Sequence, residues 1–355
     1  MTTLKEIAEH VGVSISTVSR VINNDLSRNI HPETKRKVWD AVKDYGYKPN
    51  QNARNLASQK KNDKKKTMQI GCLVQHPHLI ERYDPYYSPI FNGISKTLTD
   101  HKYSLIYIDS FDKKIEETDI YRSINSDTLD GIILFGNFEE NVLSFIKNQI
   151  SCIVALETAH TDCLDVSLVD YDRQSASRAA IKHLIEQGHE KIGFIGGGTG
   201  ADYENLSEEE RYKGYVKALH EFGLEFESNW IVNARWTPSL SYSSMKGILN
   251  LESKPTAMFC ASDTMAIAAM RSVYENKLQI PEDVAFIGID NIEMSLYSNP
   301  PLSTIHIPKY EIGKAAVNVL LNQIEERMDL PVVTLLPYQL IARESSANKS
   351  KLKQL

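Results

Sequence analysis

The sequence predicts a small all-α headpiece followed by an α/β body of two doubly wound, parallel-sheet subdomains, and three observations carry this. Residues 4–23 read as two short helices meeting at a glycine turn, a helix-turn-helix. Beyond residue 66, short apolar runs alternate with amphipathic stretches. A chain of 355 residues also exceeds the roughly 250–300 residues at which single hydrophobic cores stop growing.

In the first helix, Leu4, Ile7, Ala8 and Val11 fall at i, i+3, i+4 and i+7 and paint one apolar stripe. Gly12 ends it. Ser14 stands where an N-cap belongs, with Thr17 three residues on, and Val18, Val21 and Ile22 give the second helix its buried face. That leaves Ile15, Ser16, Ser19 and Arg20 facing outward. A third amphipathic stretch opens at Pro32, a favoured first helical position, and is expected to bury Val38, Ala41, Val42 and Tyr45. Pro49 to Ser58 is helix-competent but too short to be stable alone, and Lys60-Lys-Asn-Asp-Lys-Lys-Lys66 cannot pack, so together they form a linker.

The strand-like runs of the body are 70–74, 104–108, 131–135, 152–156, 191–195, 256–260 and 284–289. Repeated β-α alternation of this kind implies parallel sheets covered by helices, and seven or more units fit two sheets better than one. In such sheets ligands bind beyond the strand carboxyl ends, so a cleft between the subdomains is the expected ligand site.

Charge divides the chain in the same way. Residues 1–66 hold 14 Lys+Arg against 7 Asp+Glu, and the remainder 26 against 39. A basic excess coupled to a helix-turn-helix points to nucleic acid as the partner of the first part only. There is no signal-peptide pattern and no apolar run near the roughly 18 residues that span a bilayer, so a cytoplasmic protein with no membrane partner is expected. Cys72, Cys152, Cys163 and Cys260 are scattered without a Cys-x-x-Cys pair and read as reduced core residues, with no metal site.

The run Thr3-Leu-Lys-Glu-Ile-Ala8, then Gly12-Val-Ser14, Thr17-Val-Ser-Arg-Val-Ile-Asn23 and Tyr45-Gly-Tyr-Lys-Pro-Asn50, resembles the DNA-binding headpiece of LacI/GalR transcriptional repressors. The resemblance implies a periplasmic-binding-protein-like body whose halves are joined by three crossovers, which we place near Val169, Leu302 and Pro331. The domains are then 1–48 for the headpiece, 49–66 for hinge helix and basic linker, 67–169 with 303–330 for the N-terminal subdomain, 170–302 with 331–343 for the C-terminal subdomain, and 344–355 for a polar tail. It also implies a hinge helix that folds in the DNA minor groove through Asn50, Ala53 and the wedge residue Leu56. Ile15 and Ser16 match the positions with which the family chooses operators, and Arg20 can hold guanine O6 and N7 with two parallel bonds. Thr3, Ser14, Thr17 and Ser19 are expected at phosphates or as caps, and Asn23 at either a base or a phosphate.

For the cleft, Tyr86 and Tyr87 of Asp84-Pro-Tyr-Tyr87 match the family's aromatic pair, either as a sugar-stacking surface or as core. Arg211, in Arg-x-x-Gly, matches the effector-clamping arginine, and Asp290 the carboxylate that accepts ligand hydroxyls. Trp236 is expected as a stacking platform and Glu157 as a further acceptor. Asp263 is retained from the family's Asn-Asp pair, but Ser262 replaces the asparagine, which puts direct contact there in doubt. Carboxylates, one arginine and aromatics suit a neutral sugar better than a purine or a phosphate. The long Asp-Pro-Tyr-Tyr loop and the acidic insertion between Gly196 and Arg211 resemble the branch of galactose-operon and evolved β-galactosidase repressors, which implies galactose or a β-galactoside.

An enzyme is the first rival class. Gly196-Gly-Gly-Thr-Gly200 lacks the endings and spacing of nucleotide loops, no nucleophile elbow or His-Glu-x-x-His occurs, and His76-Pro-His78 is a lone pair in a loop. A plain sugar receptor is disfavoured by the headpiece. Within regulators, the alternatives are a catabolite-control type answering a phosphorylated carrier protein and a regulator with another sugar effector. The expectation is therefore a non-enzymatic repressor without cofactor, whose partners are operator DNA, a sugar effector and a second copy of itself as a homodimer, since the tail carries no heptad repeat for a larger assembly.

Overall fold

The structure, a computed structural model, describes residues 4–22, 30–45, 66–75, 84–108, 124, 128–138, 140–158, 165–200, 202–328 and 330–347. Thr3, Asn23, the hinge residues Asn50, Ala53 and Leu56, the linker lysines 60–65, the His76-Pro-His78 pair and Cys163 lie outside these residues.

Among the described residues the headpiece has three helices, α1 (Leu4–Val11), α2 (Ile15–Ile22) and α3 (Pro32–Asp44). None has the length to persist alone in water, and a shared core holds them. Ile7, Ala8, Val18, Val21, Ile22, Val38 and Ala41 are buried together, with Leu4, Val11, Val42 and Trp39 packed partly against them. Gly12 turns the chain at φ +73°, a conformation natural to glycine, and the Val13 amide closes the turn on Ala8 O at 3.0 Å. Ser14 caps α2, its Oγ accepting from the Thr17 amide at 3.1 Å. Tyr45 departs from expectation. It lies 43 % exposed at the end of α3, its hydroxyl 3.0 Å from His10 Nδ1 and its ring edge-on to that imidazole. A tyrosine can serve such a core from the rim, because its hydroxyl needs a partner that the apolar interior lacks.

Among the described residues the body holds two six-stranded sheets. The first has the order β11-β5-β4-β3-β1-β2, all parallel, from β1 (Gln69–Val74), β2 (Ser104–Ile108), β3 (Gly131–Phe135), β4 (Ile153–Leu156), β5 (Ser167–Asp170) and β11 (Val333–Leu335). Against it lie α4 (Tyr87–Asp100) and α11 (Lys309–Ile324). Those helices cross closely enough that a Cβ on Gly93 would strike Tyr310 O, and one on Gly313 would strike Ile90 O. Between β3 and β4 runs α5 (Glu140–Gln149).

The second sheet repeats the order as β12-β10-β9-β8-β6-β7, from β6 (Ile192–Gly196), β7 (Ile231–Asn233), β8 (Ala257–Cys260), β9 (Ala285–Asp290), β10 (Ser303–His306) and β12 (Gln339–Ile341). Its pairs are parallel except β10–β12. Helices α6 (Arg173–Glu186) and α9 (Asp263–Glu275) pack on it, α6 beside α7 (Glu210–Phe222) and α9 beside α8 (Pro238–Leu249), and α10 (Glu293–Tyr297) follows β9. In both sheets the order reverses beside the first strand, between β1 and β3 and between β6 and β8, which are the switch points where ligands bind.

The chain passes between sheets three times. The first passage is at Tyr171 and Asp172, close to Val169. The second follows His306 rather than Leu302, because β10 pairs with β9 and belongs wholly to the second sheet. The third lies between Leu335 and Gln339 rather than at Pro331, because β11 still pairs with β5. The tail also begins later than 344. Ser345 and Ser346 are fully buried, Ser345 Oγ donating to Phe286 O at 2.7 Å and accepting from the Ser303 amide at 2.8 Å. Cys72 and Cys260 are buried and Cys152 is half-buried.

Candidate functional site

Two groups of residues stand apart from the cores. On the headpiece, the outward face of α2 presents Ile15 at 47 % exposure together with exposed Ser14 and Ser16. Thr17, Ser19 and Arg20 continue that face at intermediate exposure. The Ser14 hydroxyl is already engaged, 2.8 Å from both Ser16 Oγ and Thr17 Oγ1, which suits a cap better than a reader. Exposed at the first position of its helix, Ile15 lies outside the headpiece core.

The second group gathers at the strand carboxyl ends of the body. Tyr86 is buried, and its hydroxyl donates to Glu157 Oε1 at 2.6 Å. Tyr87 is half-buried, edge-on to Tyr86 and to Phe135. Glu157 follows β4 with φ +54°, and its other oxygen pairs with Arg173 Nη2 at 2.8 Å. Arg173 also bonds the Asp170 carboxylate and lies 4.9 Å over the Tyr171 ring. Burial pushes the Asp170 carboxyl up, against the pull of the Arg173 guanidinium. This buried ion network joins the end of the first sheet to the first turn of α6, and the sequence reading missed Arg173, Asp170 and Tyr171.

From the second sheet, Arg211 points its Nε at Glu209 Oε1, 2.7 Å away. Burial disfavours its charge, but Glu209 and the Tyr171 and Tyr86 hydroxyls outweigh that and hold its pKa raised. Glu209 also caps α7 through the Tyr212 amide at 3.0 Å. The Arg211 guanidinium rests 4.4 Å from the Trp236 ring centroid, and the indole N–H donates to Gly198 O at 3.0 Å. Trp236 therefore positions the arginine with one ring face, where the sequence suggested a platform for a ligand.

Asp290 ends β9 at φ +118°, followed by Asn291 at +50°, both conformations that side-chain-bearing residues rarely hold. Lys309 Nζ donates to the Asp290 carbonyl, while Arg343 Nη2 fixes Asn291 Oδ1 at 2.7 Å. The Asp290 carboxyl is raised by burial and by the Asp263 charge, with Arg211 and Lys309 opposing. Asp263 is fully buried and both its oxygens are committed, Oδ1 to Thr304 Oγ1 at 2.6 Å and Oδ2 to the Ile292 amide at 2.9 Å. It holds the turn that carries Asp290. Ser262 caps α9, accepting from the Met265 amide at 3.3 Å.

Tyr86, Tyr87, Glu157, Arg211, Trp236 and Asp290 thus converge on one locality: Arg211 acts electrostatically on Tyr87 and Asp290, and Glu157 on Tyr86 and Tyr87. Strained backbone at Glu157, Arg235, Trp236, Asp290 and Asn291 marks the same strand ends. Strain of this kind persists only where the surroundings impose it, and it gathers at ligand clamps. Among the described residues no cluster of potential metal ligands occurs, and no helix is long and apolar enough to cross a membrane.

Residues 3–50 match the model of bacterial regulatory proteins of the lacI family, and residues 181–346 that of a periplasmic binding protein-like domain. The chain is 31 % identical over 333 residues to the HTH-type transcriptional repressor PurR of Aliivibrio salmonicida, covering 92 % of this chain and 93 % of that one. It is 30 % identical over 347 residues to catabolite control protein A of Priestia megaterium, covering 97 % and 99 %. Among solved structures, a transcriptional regulator CelR–cellobiose complex superposes with a TM-score of 0.72 at 26 % identity, over 97 % of this chain and 100 % of that one.

Proposed function

The chain belongs to the LacI family of DNA-binding transcriptional repressors, and from that premise we propose that it represses sugar-utilisation genes and leaves its operator when a neutral sugar enters the cleft. One observation carries the ligand class. Each arginine of the cleft is already neutralised, Arg173 by Glu157 and Asp170 and Arg211 by Glu209. A phosphate or other anion would find no uncompensated guanidinium, whereas hydroxyl groups meet paired carboxylates, a stacked arginine and aromatic rings. A cellobiose complex among the similar structures supports the sugar class. Galactose or a β-galactoside remains our first choice within it.

In this reading Ile15, Ser16 and Arg20 touch base edges, while Ser14, Thr17 and Ser19 position the headpiece. Two chains pair so that both recognition helices meet the half-sites of a near-palindromic operator. Tyr87, Arg211 and Asp290 contact the effector, Trp236 and Asp263 support them, and Tyr86 and Glu157 form the wall on the first sheet's side. Closing the cleft displaces one subdomain against the other and releases the DNA, which requires that the sugar favour one state by about 1–3 kcal/mol.

Titration of operator-bound protein with galactose, lactose and cellobiose tests the proposal. Release by one of them, abolished in Arg211→Ala, is expected; retention with all three would remove the sugar assignment. A second reading, regulation by a phosphorylated carrier protein, is favoured by the similarity to catabolite control protein A. It predicts that adding such a carrier tightens operator binding.

A further inference from the structure

We propose that Tyr171, at the first crossing between the two sheets, is a specificity-determining contact of the effector site, its hydroxyl hydrogen-bonding a hydroxyl group of the bound sugar. The inference rests on the cleft being a sugar site, and it adds a residue that the sequence pattern did not single out.

Tyr171 is fully buried, yet its hydroxyl has no hydrogen-bond partner among the described residues. Buried hydroxyls are rarely left so, and an orphan in a folded protein calls for an absent ligand, water or ion. Its surroundings identify which. Arg211 and Asp290 from the second sheet and Glu157 from the first all act on this hydroxyl, so it sits among the residues that form the cleft. Burial is the main influence that keeps the phenol protonated, so it can both donate and accept.

The ring, moreover, is held in place at some expense. Arg173 lies over it at 4.9 Å and is itself pinned by Asp170 and by Glu157, which in turn accepts from Tyr86. Burying three charged groups to fix one aromatic ring, and then leaving the ring's polar end unsatisfied, is the arrangement of a preorganised recognition group. With Asp170 at the end of the first sheet and Arg173 opening α6 on the second, the hydroxyl stands where both subdomains meet the ligand. A site built to bond a ligand hydroxyl also rejects analogues that lack it, since the buried phenol would again be unpaired.

Isothermal titration of the full chain with cellobiose, lactose and galactose, alongside Tyr171→Phe and Arg211→Ala, tests this. Phenylalanine preserves the ring and its contact with Arg173, so the thermal midpoint without sugar should not fall. Supporting the inference would be a sugar that binds the wild type, fails to bind Arg211→Ala, and binds Tyr171→Phe about 10- to 100-fold more weakly. The same affinity in Tyr171→Phe, with binding still lost in Arg211→Ala, would overturn the inference and leave the sugar site standing. If none of the three sugars binds the wild type, the sugar reading fails and this contact fails with it.

Discussion

Removing the Arg211 side chain should cost both sugar binding and stability, and the two losses should separate. The side chain is 12 % exposed and its partner Glu209 5 %, so Arg211→Ala strands a buried carboxylate. Breaking a buried pair from one side costs about 3–5 kcal/mol, and losing the guanidinium from the Trp236 face adds roughly 0.5–2 kcal/mol. Against this, the second Glu209 oxygen keeps the Tyr212 amide at the start of α7, and water reaching the vacated space solvates the first. A net loss of about 3 kcal/mol, at the low end of that range, is therefore expected. Glu209→Gln placed in the same chain removes the stranded charge while keeping an oxygen for the cap, and should restore roughly 1–2 kcal/mol. Urea unfolding followed by tryptophan emission reads the stability of the three proteins, and calorimetric titration reads their sugar affinity, which should be lost in both variants. A double variant no more stable than Arg211→Ala would refute the claim that Glu209 is the group left stranded. Wild-type sugar affinity in Arg211→Ala would refute the clamp itself.

Other consequences follow from the same contacts. Arg20→Ala should flatten the preference at one operator base by about 1–3 kcal/mol and leave sugar affinity unchanged, as read by anisotropy on operators substituted base by base. Gly313→Ala forces a Cβ into Ile90 O at the α4–α11 crossing and should destabilise by about 1–3 kcal/mol or more, whereas Gly247→Ala on α8, with nothing within 4 Å of the new methyl, should stabilise by about 0.5–1 kcal/mol; thermal melts distinguish the two. Burial lifts the Asp263 carboxyl from 3.8 to about 7, with Thr304 and the Ile292 amide opposing. The folded chain thus holds this proton more tightly than the unfolded one, so the contribution is full below about pH 4 and is lost as the pH rises through 7. Melting temperature should fall between pH 5 and pH 8, and fall less in Asp263→Asn; a wild-type midpoint that rises across this window would contradict the assignment.

The parts of this protein that were legible in its sequence are those where one physical pattern dominates. Leu4, Ile7, Ala8 and Val11 repeat at helical spacing because one face must be buried, and the continuous apolar runs of β1, β3, β8 and β9 exist because those strands are covered on both faces. Short strands left no such run. β7, β11 and β12 are three residues each, none of them buried, so the third crossing was misplaced by the strands that define it. Tyr45 fitted an apolar stripe that its hydroxyl prefers to leave. In the cleft, a motif and a strand end singled out Arg211 and Asp290, whereas the partners of Trp236 and Asp263 became visible only in the fold. Arg173 was unreadable in principle: in sequence a charged residue opening a helix looks solvated, and only the fold reveals it as 6 % exposed between Asp170 and Glu157. Ser345 and Ser346 were hidden for the same reason, two small polar residues in a polar tail that turn inward to bond β9 and β10.

Operator retention tests the central claim most directly. Fluorescence anisotropy of a labelled palindromic operator, at fixed salt because headpiece affinity depends steeply on it, is followed as galactose, lactose or cellobiose is added to the wild type and to Arg211→Ala. Release of the wild type by one of these sugars, with Arg211→Ala remaining bound, is the result the account predicts. Operator binding that all three sugars leave unchanged, or that any of them tightens, would contradict it.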